Sequence, residues 1–159
     1  MYSQIVQTLA LTHLDYCPMV WSSAAKKDIV KVQMVQNRAA RIALCCSKRT
    51  NINIMHATLG WPLVEDRLCI SLLSFVRGIM STRVPTILYG QLKFSSDQHT
   101  YNTRHALQGL FALPISQSNA MQHTVMYRAM KGLNGLPSHL IQATSKSVFK
   151  KKLKKYFIQ

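Results

Sequence analysis

The chain has 159 residues, with twenty Lys and Arg against five Asp and Glu, a formal net charge of +15 when histidine is neutral. Hydrophobic residues make up 48% of it, which excludes a chain disordered by composition, and the length suffices to bury a sizeable core. So large an excess of one sign repels itself and calls for a polyanion nearby, either nucleic acid or an anionic membrane surface.

Ile5, Val6, Leu9 and Leu14 give residues 2–14 a weak helical pattern. Asp15-Tyr16-Cys17-Pro18 ends it, because the residue before a proline avoids the helical region. Ser23 is placed to cap the next helix, and Asp28 suits its first turns. Residues 25–46 carry the clearest helical period. Val32, Val35, Ala39, Ile42, Ala43 and Cys46 gather on one side, which is expected to face the core. Lys27, Lys31, Met34, Arg38, Arg41 and Lys48 gather on another, within an arc of roughly 100°. Ser47 to Asn53 reads as a loop that exposes Lys48 and Arg49. Pro62 suits the first position of a further helix, with Glu65 and Asp66 in its first turn. Leu68, Leu72, Phe75, Val76 and Ile79 form its apolar stripe through about residue 80, near which Gly78 weakens it. Arg83-Val84-Pro85 starts a new piece, and Thr86 to Leu92 has room for two turns.

From Lys93 to Ser118 the helical period fails, so loop or short strand is expected around Gly109 and Pro114. Residues 119–131 fit helix or strand. Gly132 and Gly135 are read as breaks, and Pro137 as the start of a short helix through Ala143. Ser145 caps a terminal helix in which Phe149, Leu153, Tyr156 and Phe157 follow an i, i+4, i+7, i+8 pattern. Lys150, Lys151, Lys152, Lys154 and Lys155 cover the rest of its surface. The expected fold class is mainly α: a small helical bundle over residues 1–50, then an α-rich C-terminal extension over 51–159 with irregular or short-strand segments.

Little in the chain points to catalysis. A metal-dependent polymerase or nuclease needs clustered carboxylates. Glu65 and Asp66 are adjacent, but neighbours on a helix point about 100° apart, so they read as helix-start charges. His99 and His105 fall in an expected loop, and the adjacent Cys45 and Cys46 are poorly spaced for tetrahedral zinc. A Cys–His or Ser–His nucleophile pair has no local support. Gly132-Leu133-Asn134-Gly135 lacks the lysine and the strand–helix context of a phosphate loop. No catalytic residue, metal or cofactor is therefore expected. Cys17, Cys45, Cys46 and Cys69 sit in apolar surroundings without C-x-x-C spacing, as buried reduced thiols do in an intracellular protein, nuclear or cytoplasmic. The opening residues lack the basic start and cleavage site of a secretory signal, and no apolar run is long enough to span a bilayer.

The residues suited to nucleic acid are Lys27, Lys31, Arg38 and Arg41 on the long helix, and Lys48 and Arg49 just after it. Tyr101 and Arg104 put an aromatic ring and a guanidinium in one loop, which suits stacking and phosphate contact on a single strand. Lys150, Lys151 and Lys154 extend the set to the terminal helix. That helix, basic with an aromatic face, also has the make-up of a peripheral membrane helix or of one that docks on a partner. Lipid binding would then depend on Phe149, Leu153 and Phe157. Trp21 and Trp61 are read as core anchors.

Several separated pieces point further. They are Leu14-Asp15-Tyr16-Cys17-Pro18-Met19-Val20-Trp21 and Val32-Gln33-Met34-Val35-Gln36-Asn37-Arg38-Ala39-Ala40-Arg41-Ile42. Next come Leu59-Gly60-Trp61-Pro62-Leu63 and His99-Thr100-Tyr101-Asn102-Thr103-Arg104. Last are Asn134-Gly135-Leu136-Pro137 and Ser147-Val148-Phe149-Lys150-Lys151-Lys152-Leu153-Lys154-Lys155-Tyr156. In this order and spacing, over nearly the whole chain, they resemble the region after the palm of non-LTR (LINE-type, jockey-like) retrotransposon reverse transcriptases. Each motif is weak alone, and the ordered set is specific. The resemblance implies a parent enzyme with an endonuclease domain, a reverse transcriptase and this C-terminal part. The Tyr-Ala-Asp-Asp-like catalytic box of such enzymes does not occur here. The resemblance also implies that residues 1–46 are the thumb, which grips the template–primer duplex, and that the remainder is the C-terminal extension. One departure is Leu133, where the family usually has tryptophan. The expected function is a non-catalytic segment that holds RNA or RNA–DNA duplex by its phosphates, working with an upstream catalytic portion. A membrane-surface or helix-partner protein, and an element remnant without function, are the alternatives.

Overall fold

The computed structural model describes residues 2–98, 110–115, 118–141 and 145–158. They are mainly helical, the expected class, with no named β-strand among them. By its contacts the chain divides into two compact units, Met1–Leu68 with Lys154–Gln159, and Cys69–Leu153.

In the first unit, α1 (Tyr2–Val6) runs through a π-helical stretch (Gln7–Leu11) into α2 (Thr12–Asp15). The hydroxyls of Thr8 and Thr12 donate back to the carbonyls of Gln4 and Thr8, at 3.1 and 2.6 Å. As the proline requires, the helix ends at Asp15; Tyr16 is extended and Cys17 is left-handed at φ 43°. Pro18 then opens α3 (Pro18–Trp21) at its first turn. Ser23 does not cap α4 (Lys26–Leu44). Its hydroxyl turns back to the Val20 carbonyl, as that of Ser22 does to Met19, because the end of α3 supplies nearer acceptors. Ala25 holds the cap position without a side-chain bond.

The buried face of α4 lies about a quarter turn from where its apolar residues alone would put it. Ile29, Gln36, Asn37, Ala39 and Ala40 are buried, whereas Val35 and Ile42 are 57% and 63% exposed. The reason is the segment that follows α5 (Ile52–Leu59). That helix occupies part of the expected loop, capped by the Asn51 side chain on Asn53 N–H at 2.8 Å and closed by Gly60 at φ 62°. Trp61 and Pro62 are buried in an extended connection, and buried backbone polar groups need partners. The amide groups of α4 supply them. Gln36 Nε2 donates to the Pro62 carbonyl at 2.8 Å, and Gln33 Oε1 accepts from Val64 N–H at 2.8 Å. Gln33 Nε2 donates to Asn37 Oδ1, also at 2.8 Å. His56 Nε2 lies 2.8 Å from the same Asn37 oxygen, and its Nδ1 lies 3.2 Å from the Trp61 carbonyl. Pro62 therefore does not begin α6 (Val64–Thr82); its carbonyl is held by Gln36, and the helix starts where Gln33 caps the first N–H.

Around this network, Leu11, Ala39, Ala40, Met55 and Trp61 form one apolar cluster, and Ile29, Val64 and Leu68 another. Burial pushes the His56 pKa below its usual value, the Trp61 carbonyl partly offsets that, and the Arg67 charge lowers it again.

The expected stripe of α6 is in place. Leu68, Leu72, Val76 and Ile79 are buried, joined by Ile70, Leu73 and Ser74. After it come α7 (Thr86–Tyr89) and α8 (Ser95–Gln98). The expected short strand is one antiparallel bridge between Phe94 and Phe111, whose rings stack at 4.9 Å. Residues 119–131 prove helical, as α9 (Asn119–Gln122) and α10 (Val125–Asn134), capped by the Ser118 and Thr124 side chains. Gly132 does not break α10. It stands opposite Leu73, where an added Cβ would come within 2.9 Å of a Leu73 methyl. Asn134 pairs with the Phe111 backbone as a strand would, accepting from its N–H and donating to its carbonyl, both at 2.8 Å. Leu133 is 3% exposed. Then follow α11 (Ser138–Ile141) and α12 (Lys146–Ile158), the latter capped by Ser145 Oγ on Val148 N–H at 3.3 Å. Phe149 and Leu153 are fully buried, while Tyr156 is exposed.

Asn37→Ala should remove about 2–3 kcal/mol of stability, because it takes from the buried His56 ring and the half-buried Gln33 amide a shared hydrogen-bond partner. Val35→Ala should change it by less than about 0.5 kcal/mol. Urea unfolding followed by tryptophan fluorescence reads both, since Trp21 and Trp61 both lie in the first unit; equal losses would refute the assigned face of α4. With its folded pKa depressed, His56 leaves the unfolded chain binding more protons below about pH 6.5. Stability should therefore fall as pH drops through that range towards the folded pKa, and fall less steeply in His56→Gln. Gly132→Ala should destabilise by about 1 kcal/mol in thermal melts, since crowding the packed Leu73 outweighs the gain in helix propensity.

Candidate nucleic-acid interface

The hydrogen bonds that turn Gln33, Gln36 and Asn37 inward turn the opposite side of α4 outward. On that side Lys27, Lys31 and Arg38 are exposed and Arg41 is half-buried. The spacing 27, 31, 34, 38, 41, 45 keeps one line along a helix of 3.6 residues per turn. Met34, Val35 and Ile42 are exposed along or beside it, so aliphatic surface alternates with charge. Asp28 is the one acid on α4, and it pairs with Lys31 at 3.0 Å on an exposed surface. Such a pair is worth at most about 1 kcal/mol and yields readily to a phosphate. Asp15 is engaged elsewhere in this unit, with both carboxylate oxygens 2.7 Å from Arg67 Nη1.

At the C-terminal end of α4 the chain turns sharply. Cys45 is left-handed at φ 50°, its N–H bonds the Ile42 carbonyl, and Cys46 N–H bonds that of Arg41. Lys48 and Arg49 follow, both exposed, in a turn closed by Thr50 N–H on the Ser47 carbonyl. This brings Arg38, Arg41 and Lys48 around an open groove of about 710 Å³, with Ile42, Cys45 and Cys46 as the rest of its lining. Arg49 lies beside it in sequence but not in its lining. The thiols belong to no motif that sequence reasoning tests, yet Cys45 continues the line of Arg38 and Arg41 at helical spacing. Cys17 and Cys45 are exposed, not buried as expected, because each occupies a left-handed turn at a helix boundary; Cys46 and Cys69 are half-buried, and all four are free thiols.

Lys150, Lys151 and Lys154 are exposed on α12, with Lys150 and Lys154 one turn apart. Of Phe149, Leu153 and Phe157, on which lipid binding would depend, the first two are fully buried and Phe157 is half-buried. Tyr101 and Arg104 lie outside the described residues, as do His99 and His105. Glu65 is exposed and Asp66 half-buried at the start of α6. Burial and the neighbouring Glu65 charge push the Asp66 carboxyl pKa up. Among the described residues no three His, Cys, Asp or Glu side chains are grouped so as to hold a metal ion. Among them, too, no helix is long and apolar enough to cross a membrane.

Compared with known proteins, the chain matches no family model, no curated protein and no solved structure.

Proposed function

We propose that this protein is a nucleic-acid-binding segment of the non-LTR retrotransposon reverse transcriptase type, without catalytic machinery of its own. It holds RNA or RNA–DNA duplex through backbone phosphates, with little sequence preference. The observation that carries this reading is the cationic line of α4, with Lys27, Lys31 and Arg38 exposed and Arg41 half-buried, opposed on that helix by Asp28 alone. Phosphate contact needs cations on a rigid support, and the buried amide bonds hold α4 in one orientation about its axis. Lys48, Arg49 and the lysines of α12 add to the same attraction. The resemblance to the post-palm region supports the reading independently of charge. Two of its motifs also meet in space, where Gln36 of one donates to the Pro62 carbonyl of the other and Asn37 reaches the Trp61 carbonyl through His56. In the parent enzyme the segment would grip template and primer for an upstream catalytic portion. The burial of Phe149 and Leu153 favours nucleic acid over lipid as the polyanion.

Binding of the full chain to labelled single-stranded RNA and RNA–DNA duplex across a salt series tests this. Affinity should be micromolar or tighter at low salt, with log K falling against log salt by about 0.9 per phosphate contacted on duplex and about 0.7 on a single strand. The triple variant Lys27→Glu, Lys31→Glu, Arg38→Glu should bind at least about tenfold more weakly, with a duplex slope shallower by up to about 2.7. Its circular dichroism should match the parent chain. Absence of binding at about 50 mM salt, where such attraction is strong, would sink the reading.

A further inference from the structure

The groove at the end of α4 differs from the rest of the charged face in being concave. Arg38, Arg41 and Lys48 converge on it, and no acid lines it. None of the three has a carboxylate partner among the described residues. Arg41 Nε–H is shut off from solvent and has no acceptor, an arrangement that is costly for a charged donor. A helix C-terminus ordinarily repels anions, because its last carbonyls carry partial negative charge. Here two of those carbonyls are occupied, by Cys45 N–H at 3.3 Å and Cys46 N–H at 3.1 Å. The groove is thus a concentrated positive site that no acidic side chain among the described residues neutralises.

We propose that this groove is a discrete seat for a phosphoryl group, held by Arg38, Arg41 and Lys48. Planar guanidinium groups match phosphate oxygens in a fork geometry, and the lysine adds a compact third charge. The volume, about 710 Å³, exceeds that of a lone phosphate and has room for an attached sugar, with Ile42 as the apolar side of the seat. The proposal takes from the nucleic-acid reading only the source of the phosphate; the chemistry of the seat stands apart from it, so inorganic pyrophosphate should fill it unaided.

Cys45 supplies a local reporter, because its exposed thiol lines the groove, and Cys17, exposed but outside the groove, serves as the internal control. The full chain is alkylated with iodoacetamide and each thiol is followed by peptide mass spectrometry. The reaction runs alone, with pyrophosphate, and with one RNA oligonucleotide bearing either a 5′-phosphate or a 5′-hydroxyl. With pyrophosphate at about ten times its Kd, Cys45 should react about tenfold more slowly while Cys17 is unchanged. Protection by both oligonucleotides assigns the seat to a backbone phosphate, and protection by the 5′-phosphorylated one alone assigns it to a strand end. Lys48→Gln and, separately, Arg38→Gln should each weaken the protection, scored as the ratio of rates with and without ligand within each variant. Both residues are exposed, so neither change threatens the fold. An oligonucleotide that binds yet leaves Cys45 as reactive as before overturns the seat and spares the nucleic-acid reading. Protection by pyrophosphate without oligonucleotide binding upholds the seat and removes that reading. An unchanged Cys45 rate under every probe overturns the proposal.

Discussion

A buried stretch of backbone between two helices must find hydrogen-bond partners, and in the first unit residues 61–64 find two of theirs on the side chains of α4 and others on His56 and Arg67. Gln33 caps the first N–H of α6, Gln36 holds the Pro62 carbonyl, and Asn37 positions His56, which reaches the Trp61 carbonyl. A neutral imidazole donates through only one nitrogen, so Asn37 and Trp61 compete for the His56 proton, and burial keeps the second one off. The satisfaction is incomplete, since Gln36 Oε1 and Trp61 Nε1 remain buried without partners. What the network supplies is direction. Apolar contacts tolerate a helix turning a few degrees about its axis, whereas hydrogen bonds to fixed backbone atoms do not. The outward orientation of Lys27, Lys31, Arg38 and Arg41 follows from the bonds made on the far side of the same helix.

This also explains which parts of the architecture were legible in the chain. Helices marked by spacing alone, the stripe of α6 and the Phe149–Leu153 face of α12, lie where periodicity puts them, because their burial is apolar. The basic line of α4 was legible for the same reason, as charge stays in water. Its core face was not, because hydropathy sends Gln33, Gln36 and Asn37 to solvent and has no means of anticipating partners 19, 26 and 31 residues away. The cap of α4 and the start of α6 differ from what local rules for Ser23 and Pro62 predict, because nearer or stronger bonding partners override them. Asn51 and Gly60 bracket α5 with an ordinary start and stop signal, which the polar run before it hid. The groove could not be foreseen, since it depends on the left-handed turn at Cys45 that brings Lys48 back towards Arg38 and Arg41.

The charge imbalance takes a physical form in this arrangement. Of the acids in the first unit, Asp15 is engaged with Arg67 and Asp28 with Lys31. Neither lies in the groove lining. Positive charge is therefore left standing on outward faces of helices whose opposite faces are packed, so self-repulsion acts between groups that cannot move apart without unfolding. A bound polyanion would relieve that repulsion, and binding and stability would then rise together.

In the second unit, the close approach of Gly132 to Leu73 ties two positions far apart in the sequence into one. Space at 132 exists only because the side chain at 73 fills it, and the branched methyls at 73 have room only because 132 has no side chain. Among related sequences the two positions should change together, a larger residue at 132 accompanying a smaller one at 73. Such paired change would mark sequences selected to keep this packing.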